Sequence, residues 1–496
     1  MKLIINKLNN MMRKAALMAG MVLLLISCDD FGDTNIDPNN PSNARPELLL
    51  TDAQRFVDNK VGAFTGNLWV QYMAETQYND DSRYGNANAD FNGWYTGPLK
   101  NLQTIIDLNT NEETRVDALS GGSNANQIAV ARILKVYFFH MMTDRWGYIP
   151  YSEALVGSEN FSPQYDSQEE IYLSLIDELK AAVAQMDGGP GVNGDILFSG
   201  EMGQWEVFAN SLRARIALRM ADTGQSSVAA TEFADAVNSG VTSVDISYPY
   251  LASAANENPW YTRFRTRTDY AISDVLADYM KGLDDLRVTK YANPAPDVSN
   301  NDGGAILNEI VGMPYDVESP GDITNSAISF PGAAIGAGGP SVGIQDAPLP
   351  IITVSEMYFA MAEAVERGWI SGSAEQYYLD AIQASWEQWG VFDQAAYDAY
   401  VSTPEVAYSS ASWDEKIGKQ KWVALYPNGY EAWAEWRRLG YPELDPHPLA
   451  LTAEVSIPVR QTSPTSEAQI NEAAYNAAVS AQGADAPSTH LWWDID

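Results

Sequence analysis

SEMYFAMAEAVERGWISGSAEQYYLDAIQASWEQW, residues 355–389, decides the fold class. Met357, Ala360, Met361, Ala364 and Val365 recur at spacings of three and four, so the residues from Ser355 to Arg367 carry one apolar stripe at the period of a helix. Gly368 to Ser373 turns the chain. Tyr378, Ile382, Trp386 and Trp389 repeat the spacing on the return, with small Ala381 where two helices would touch. A helical hairpin of this kind cannot cover its own apolar faces and needs neighbouring hairpins to do so.

The same period extends outward. Val130, Ile133, Leu134, Tyr137, Phe138 and Met141 follow it, as do Tyr172, Leu175, Ile176, Leu179, Val183 and Met186, and again Trp205, Phe208, Leu212, Ile216 and Met220. Alternating strand patterns are few, so the expected fold is all-α or mainly α. No regular repeat register runs through these segments, and no Ser/Gly-rich linker divides them. One helical domain over residues 46–496 is the expectation. Between the helices lie long stretches rich in Gly, Pro, Asn and Asp, at Gln77–Trp94, Asn256–Tyr270 and Ala292–Pro350. Loops of the last size in a compact protein are usually functional or disordered, so a binding surface is expected to draw on these segments.

The N-terminus indicates the compartment. Lys2, Lys7, Arg13 and Lys14 precede an apolar run from Ala15 to Ile26, and Leu25-Ile26-Ser27-Cys28 closes it. Twelve apolar residues are too few to span a hydrocarbon core of about 30 Å, so residues 1–27 are expected to be a signal peptide. Small residues leading into a cysteine match a bacterial lipobox, with lipid expected on Cys28, the single cysteine of the chain. Residues 28–45 then form a polar tether. Asp33, Asn35, Asp37 and Asn39 fall at alternate positions of a calcium-loop template, but Pro38 replaces its glycine and Ala44 its final glutamate. A metal is not expected there.

Removing residues 1–27 takes away four cations and no anion, which moves the net charge from −35 to −39. Such a surface disfavours nucleic acid and direct contact with anionic headgroups, both of which need basic patches. Apolar residues make up 46% of the chain and aromatics 11%, enough for a large core rather than an acidic disordered tail.

Catalytic constellations are scarce. The three histidines, His140, His447 and His490, form no zinc spacing, and His140 lies in an apolar helical run as a core residue would. Gly339-Pro340-Ser341-Val342-Gly343 matches the string of a nucleophile elbow without its flanking strand and helix. No catalytic residue and no cofactor are expected. A surface glycoside hydrolase is the enzymatic alternative, because 65 acidic residues offer many carboxylate pairs and single out none. Sugar capture needs exposed rings beside amide, carboxylate or guanidinium groups. Gln77–Trp94 interleaves both, with Tyr78, Tyr84 and Trp94 as stacking candidates and Asn79, Asp81 and Arg83 as polar ones. Trp94 equally begins a helical apolar pattern and fits the core. Trp260 and Tyr261, beside Arg263, Arg265 and Arg267, form a second candidate, in which the arginines either meet acidic sugars or pair with neighbouring carboxylates. Tyr315 is a third. Trp433 and Trp436 read as core, and Arg437 and Arg438 as local caps or pairs.

Several phrases in order resemble the SusD/RagB family, and more closely its second SusD-like subfamily. They are Asn35-Ile36-Asp37-Pro38-Asn39, the run from Phe139 to Tyr151, Tyr165 to Tyr172, Phe208 to Arg215, Lys421 to Tyr426, and Glu431 to Arg438. Asp285-Leu286-Arg287 departs from the family's Asp-Pro-Arg turn. The resemblance implies a scaffold of tetratricopeptide-like hairpins, which the 355–389 hairpin of about thirty-four residues is similar to. It further implies a lipoprotein on the outer leaflet of the outer membrane, signalled by Asp29 and Asp30, that captures an oligosaccharide. The partner it implies is a SusC-like TonB-dependent transporter. In some members the cargo is a peptide.

Overall fold

A computed structural model gives the fold and describes residues 44–299, 306–338 and 343–494, together with residues 1, 2, 4, 5, 7, 8 and 12. The chain divides into two units, Met1–Arg45 and Pro46–Asp496. Cys28, Asp29 and Asp30, the calcium-like positions 33, 35, 37 and 39, and residues 339–342 lie outside the described residues. Among the described residues no helix is long and apolar enough to cross a membrane.

The second unit is mainly helical. Its longer helices are α1 (Pro46–Arg55), α2 (Lys100–Thr110), α3 (Asn124–Trp146), α4 (Gln168–Gln185), α5 (Met202–Arg219), α6 (Ser226–Ser239), α7 (Val354–Glu366), α8 (Ala374–Gln388), α9 (Trp413–Ala424), α10 (Gly429–Leu439) and α11 (Glu472–Gln482). Helix α3 pairs with α4, α5 with α6, α7 with α8 and α9 with α10, and these hairpins pack on one another through α4 on α5, α5 on α7 and α7 on α9. The stacking that has no register in the sequence is thus present in space. Each hairpin covers its neighbour's apolar stripe.

Local chemistry sets the boundaries. Ser167 and Glu170 close a capping box at the start of α4. Thr353 and Ser373 accept from the first-turn amides of Glu356 and Gln376 that open α7 and α8. Gly368, at φ +73°, turns the chain after α7 in a conformation that side chains disfavour. The two helices then approach closely enough for Ser355 Oγ to donate to the Ala381 carbonyl at 2.7 Å. Three short two-stranded antiparallel sheets tie distant segments together: β1 (Met73–Glu75) with β5 (Tyr270–Ile272), β2 (Ile149–Pro150) with β3 (Tyr165–Asp166), and β4 (Ile246–Tyr248) with β6 (Leu349–Ile352).

Where the hairpins meet, the core is charged. Lys60 meets Glu431 at 2.9 Å, Arg215 meets Glu356 at 2.7 Å and Glu431 at 3.3 Å, and Arg219 meets Glu431 at 2.5 Å, Asp144 at 3.4 Å and Glu435. Lys421 reaches Glu435 at 2.6 Å, and Arg438 bridges Glu435 and Glu363 at 2.7 and 2.5 Å. Five buried cations face five buried carboxylates in one connected, neutral network. Six of the ten belong to the phrases that carry the family resemblance: Asp144, Arg215, Lys421, Glu431, Glu435 and Arg438. Those phrases therefore encode the scaffold.

His140 lies in this core with Nε2 3.3 Å from Asp144, and burial pushes its pKa down to about 4, so it is neutral at physiological pH. Arg438 pairs beyond its own helix, with Glu363. Arg437 spans further than a local cap, donating to the carbonyls of Asp144 at 2.9 Å and Val459 at 2.7 Å while lying over the Trp433 ring. Trp433 is core as expected, and Trp436 is half-buried. At the departure from the family turn, Asp285 and Arg287 pair at 2.6 Å with both side chains fully buried, and Asp285 also accepts the Arg287 amide. Leu286 in place of proline leaves that turn closed by its own ion pair.

Candidate functional site

The pairing of β1 with β5, in the register Met73↔Ile272, Ala74↔Ala271 and Glu75↔Tyr270, launches the chain into the early irregular segment. Thr76 extends the anchor by donating from its amide to Asp269 at 2.9 Å. Gln77 and Tyr78 then point into solvent, and Tyr78 is 70% exposed. Asn79 turns inward and donates to the Val317 and Glu318 carbonyls at 2.9 and 3.3 Å, which clamps this loop to the long irregular segment. Asn79 O accepts from the Arg83 amide and Asp80 O from the Gly85 amide, while Tyr84 takes φ +69° to close the turn.

Between the two loops opens a cleft of about 360 Å³, walled by Gln77, Tyr78 and Asp80 on one side and Glu318, Pro320 and Asp322 on the other. Its charge is one-sided. Among the described residues Asp80, Glu318 and Asp322 line it and no cation does. Nearby arginines are engaged elsewhere: Arg83 donates to the Leu449 carbonyl at 2.6 Å, Arg267 pairs with Asp269 at 2.9 Å, and Arg265 pairs with Glu257. Burial, and then Asp80, pushes the Asp81 carboxyl up. Such a wall accepts hydrogen bonds from hydroxyl groups beside one flat ring and repels anions. Among the described residues no histidine, cysteine and carboxylate group is arranged to hold a metal.

Of the residues singled out in the sequence, Tyr78 and Asn79 line this cleft, Asn79 with its amide spent on the facing loop. Asp81 and Arg83 are half-buried in the turn behind it. Tyr84 and Tyr315 are buried, a correction to Tyr84 as a stacking ring and to Tyr315 as a third ligand-binding candidate. The Tyr84 hydroxyl accepts the His447 amide at 2.9 Å, and the Tyr315 hydroxyl lies 2.8 Å from the Leu68 carbonyl and 3.0 Å from that of Ser82. These two tyrosines hold the loops together without offering a face. Trp94, 8% exposed, packs against Phe56 and Phe138, so the core half of its double reading is what the fold uses. Trp260 is fully buried against Tyr270 with Arg263 over its ring at 4.7 Å, and it too has no face for a ligand. Tyr261 is half-buried beside Arg265. The arginines of that segment pair with carboxylates or, for Arg263, with the Gly62 carbonyl at 2.7 Å. Gln77, Asp80, Glu318, Pro320 and Asp322 were not singled out. Their only signal was membership of the two longest irregular stretches.

Glu75 closes the base of the early loop: its Oε2 accepts the Ser82 amide at 2.8 Å and its own amide donates to Ser82 Oγ at 3.3 Å. Burial pushes this carboxyl up from 4.5 to about 7, against those hydrogen bonds and assisted by Asp81. The folded state therefore holds the proton more tightly than the unfolded chain. The stability this confers is complete below pH 4.5 and is lost as pH rises to about 7. Glu75→Gln keeps an acceptor for Ser82 and removes the titration. The variant's melting temperature relative to the unmodified protein is expected to climb across that window and level off above it. A difference that stays constant with pH excludes this role for Glu75.

The family model described as starch-binding and associating with the outer membrane, SusD-like of the second type, matches residues 38–464. A search of curated proteins finds no match. Among solved structures, a chitin-binding protein is 26% identical, with a TM-score of 0.73, covering 91% of this chain and 100% of its own. A chitin-binding SusD homologue from Flavobacterium johnsoniae is 26% identical, with a TM-score of 0.71 and coverages of 91% and 98%. A SusD homologue from Bacteroides fragilis, 24% identical, shares the fold at a TM-score of 0.76 with coverages of 92% and 100%. With a mainly helical scaffold, stacked hairpins and a family match over most of its length, the chain belongs to the SusD-like family of starch-binding proteins that associate with the outer membrane.

Proposed function

We propose that this protein binds a neutral oligosaccharide in the cleft between Gln77–Asp80 and Glu318–Asp322 and passes it, uncleaved, to a SusC-like TonB-dependent transporter. Lipid on Cys28 holds it to the outer membrane, facing outward. The observation that carries the binding site is the pairing of the exposed Tyr78 ring with a wall of carboxylates and amides that no cation lines. A ring of this kind stacks on the C–H face of a sugar, and the acceptors take its hydroxyl protons. Uronic-acid and sulfated polymers meet repulsion at the same wall. The chitin-binding relatives and the starch-binding description of the family make chitin and starch oligomers the first probes.

Calorimetric titration tests the site. Tyr78→Ala is expected to weaken binding of the preferred neutral oligomer about tenfold, or about 1.4 kcal/mol. Its melting temperature is expected to stay unchanged, because the ring is solvated. Tighter binding of an acidic polymer than of any neutral one, or recovery of the oligomer as shorter products, overturns the reading. Cys28→Ala, followed by cell fractionation, is expected to release the protein from the membrane, and retention there argues against the lipid anchor.

A further inference from the structure

A second and larger cleft, of about 570 Å³, opens where the segment that begins at the first cleft runs into α2. One wall carries Phe91, Asn92, Tyr95 and Lys100, and the facing wall is the loop from Glu153 to Pro163, with Ile470 at its edge. Two large apolar side chains stand in solvent here: Phe161 is 81% exposed and Ile470 is 69% exposed. Tyr95 is held in place, its hydroxyl donating to the Pro150 carbonyl at 2.5 Å and its ring meeting the edge of Phe91 at 5.9 Å. Leu155, which also lines the cleft, is fixed at φ +68°, a backbone conformation that a branched side chain seldom adopts.

Polar groups converge beside these rings with hydrogen-bonding capacity to spare. The Lys100 ammonium makes no hydrogen bond or ion pair with the described residues. Glu153 spends one carboxylate oxygen on Asn160 and the Gln164 amide, each at 2.9 Å, and keeps the other. Asn92 holds Ser466 only at 3.5 Å. Flat apolar faces flanked by a cation, a carboxylate and an amide suit a ligand that both donates and accepts while presenting C–H faces. The volume lies within the range of about 300–1,000 Å³ typical of ligand sites. An apolar side chain from a partner protein would bury Lys100 and Glu153 with nothing to pair them, at a cost a polyol does not incur.

We propose that this cleft is a second sugar-binding site, in which Phe161 and Tyr95 face the rings of a neutral glycan and Lys100, Asn92 and Glu153 take its hydroxyls. The proposal rests on the reading that the ligand is a glycan, and adds a site to it. Both clefts draw on one stretch of chain, from Gln77 to Lys100, and for a polymer long enough to reach from one to the other the second contact is intramolecular. A polymer is then held more tightly than an oligomer that fills one cleft.

Calorimetric titration of the intact protein with chitohexaose and with maltohexaose tests this. The expected result is two sites per chain for the oligomer that binds. Phe161→Ala is expected to weaken one of them about tenfold, Tyr78→Ala the other to the same extent, and the double variant both. Because Phe161 is solvated, its loss leaves the melting temperature unchanged. Lys100→Ala is expected to weaken the same site as Phe161→Ala, and affinity-gel retardation by the corresponding polymer is expected to fall about tenfold in either variant. A single site that weakens with Tyr78→Ala and ignores Phe161→Ala overturns the second site alone. Failure of either oligomer to bind at either cleft overturns both this proposal and the reading it rests on.

Discussion

Replacing Glu431 with alanine is expected to lower the unfolding free energy by about 3–5 kcal/mol, the usual consequence of removing one partner from a buried ion pair. Glu431 is fully buried, with one oxygen 2.5 Å from Arg219 and the other 2.9 Å from Lys60 and 3.3 Å from Arg215. Burial alone pushes its carboxyl up, but Arg215, Lys60 and Arg219 together hold it well below the usual range. Without it, five cations face four carboxylates inside a low-dielectric core, and none of the three can turn to water. Domains of this kind are stable by about 5–15 kcal/mol, so the loss is a large part of the total. Glu431→Gln keeps the shape and forfeits the charge, and falls between the two. Urea unfolding followed by circular dichroism measures this, and a change below about 1 kcal/mol would show that the network is dispensable. The depressed carboxyl also fixes a pH dependence: its contribution is present above about pH 4.5 and is lost on acidification below that value.

Trp260→Ala is expected to cost about 3–5 kcal/mol of stability and to leave the glycan affinity of the folded fraction unchanged. Trp260 is fully buried, meets Tyr270 edge-on at 6.0 Å and lies under Arg263. Removing it opens a cavity beneath β5, the strand that anchors the early loop, so some folded protein is lost before any ligand contact is. Tyr78→Ala does the reverse, sparing stability and weakening binding. Denaturation and calorimetry on the two variants therefore separate a core ring from a binding ring. A specific loss of affinity in Trp260→Ala at unchanged melting temperature would place that ring in the ligand's path after all.

The helical segments were legible because burial imposes a period. Tyr378, Ile382 and Trp386 keep their spacing whatever lies against them, and Trp433 shows its burial through its helix. The pairing of hairpins was legible for 355–389, where a six-residue turn joins two stripes, and not for the scaffold as a whole, because hairpins of unequal length share no register. The charged core was written in the sequence but unreadable there. Glu431 and Arg219 look like any other charged residues on a helix until α5 and α10 are brought together.

The two irregular stretches that meet at the first cleft were visible as candidates from composition, yet most rings chosen within them were buried. Loop aromatics have no period, so nothing local tells an exposed ring from a packed one. Tyr78 and Tyr84 stand six residues apart in one stretch, and their fates diverge because the Tyr84 hydroxyl receives the His447 amide while no described segment covers Tyr78. Lys100 and Phe161 illustrate the same limit at the second cleft.

By itself, then, the sequence determined the helical class, the family and the irregular segments that meet at the first cleft, since periodicity, ordered phrases and composition survive without knowledge of contacts. Only the tertiary structure decided which side chains reach solvent and which charges pair. Burial is a property of the residues that come to lie on top, and for Tyr84, Tyr315 and Glu431 those residues are hundreds of positions away along the chain.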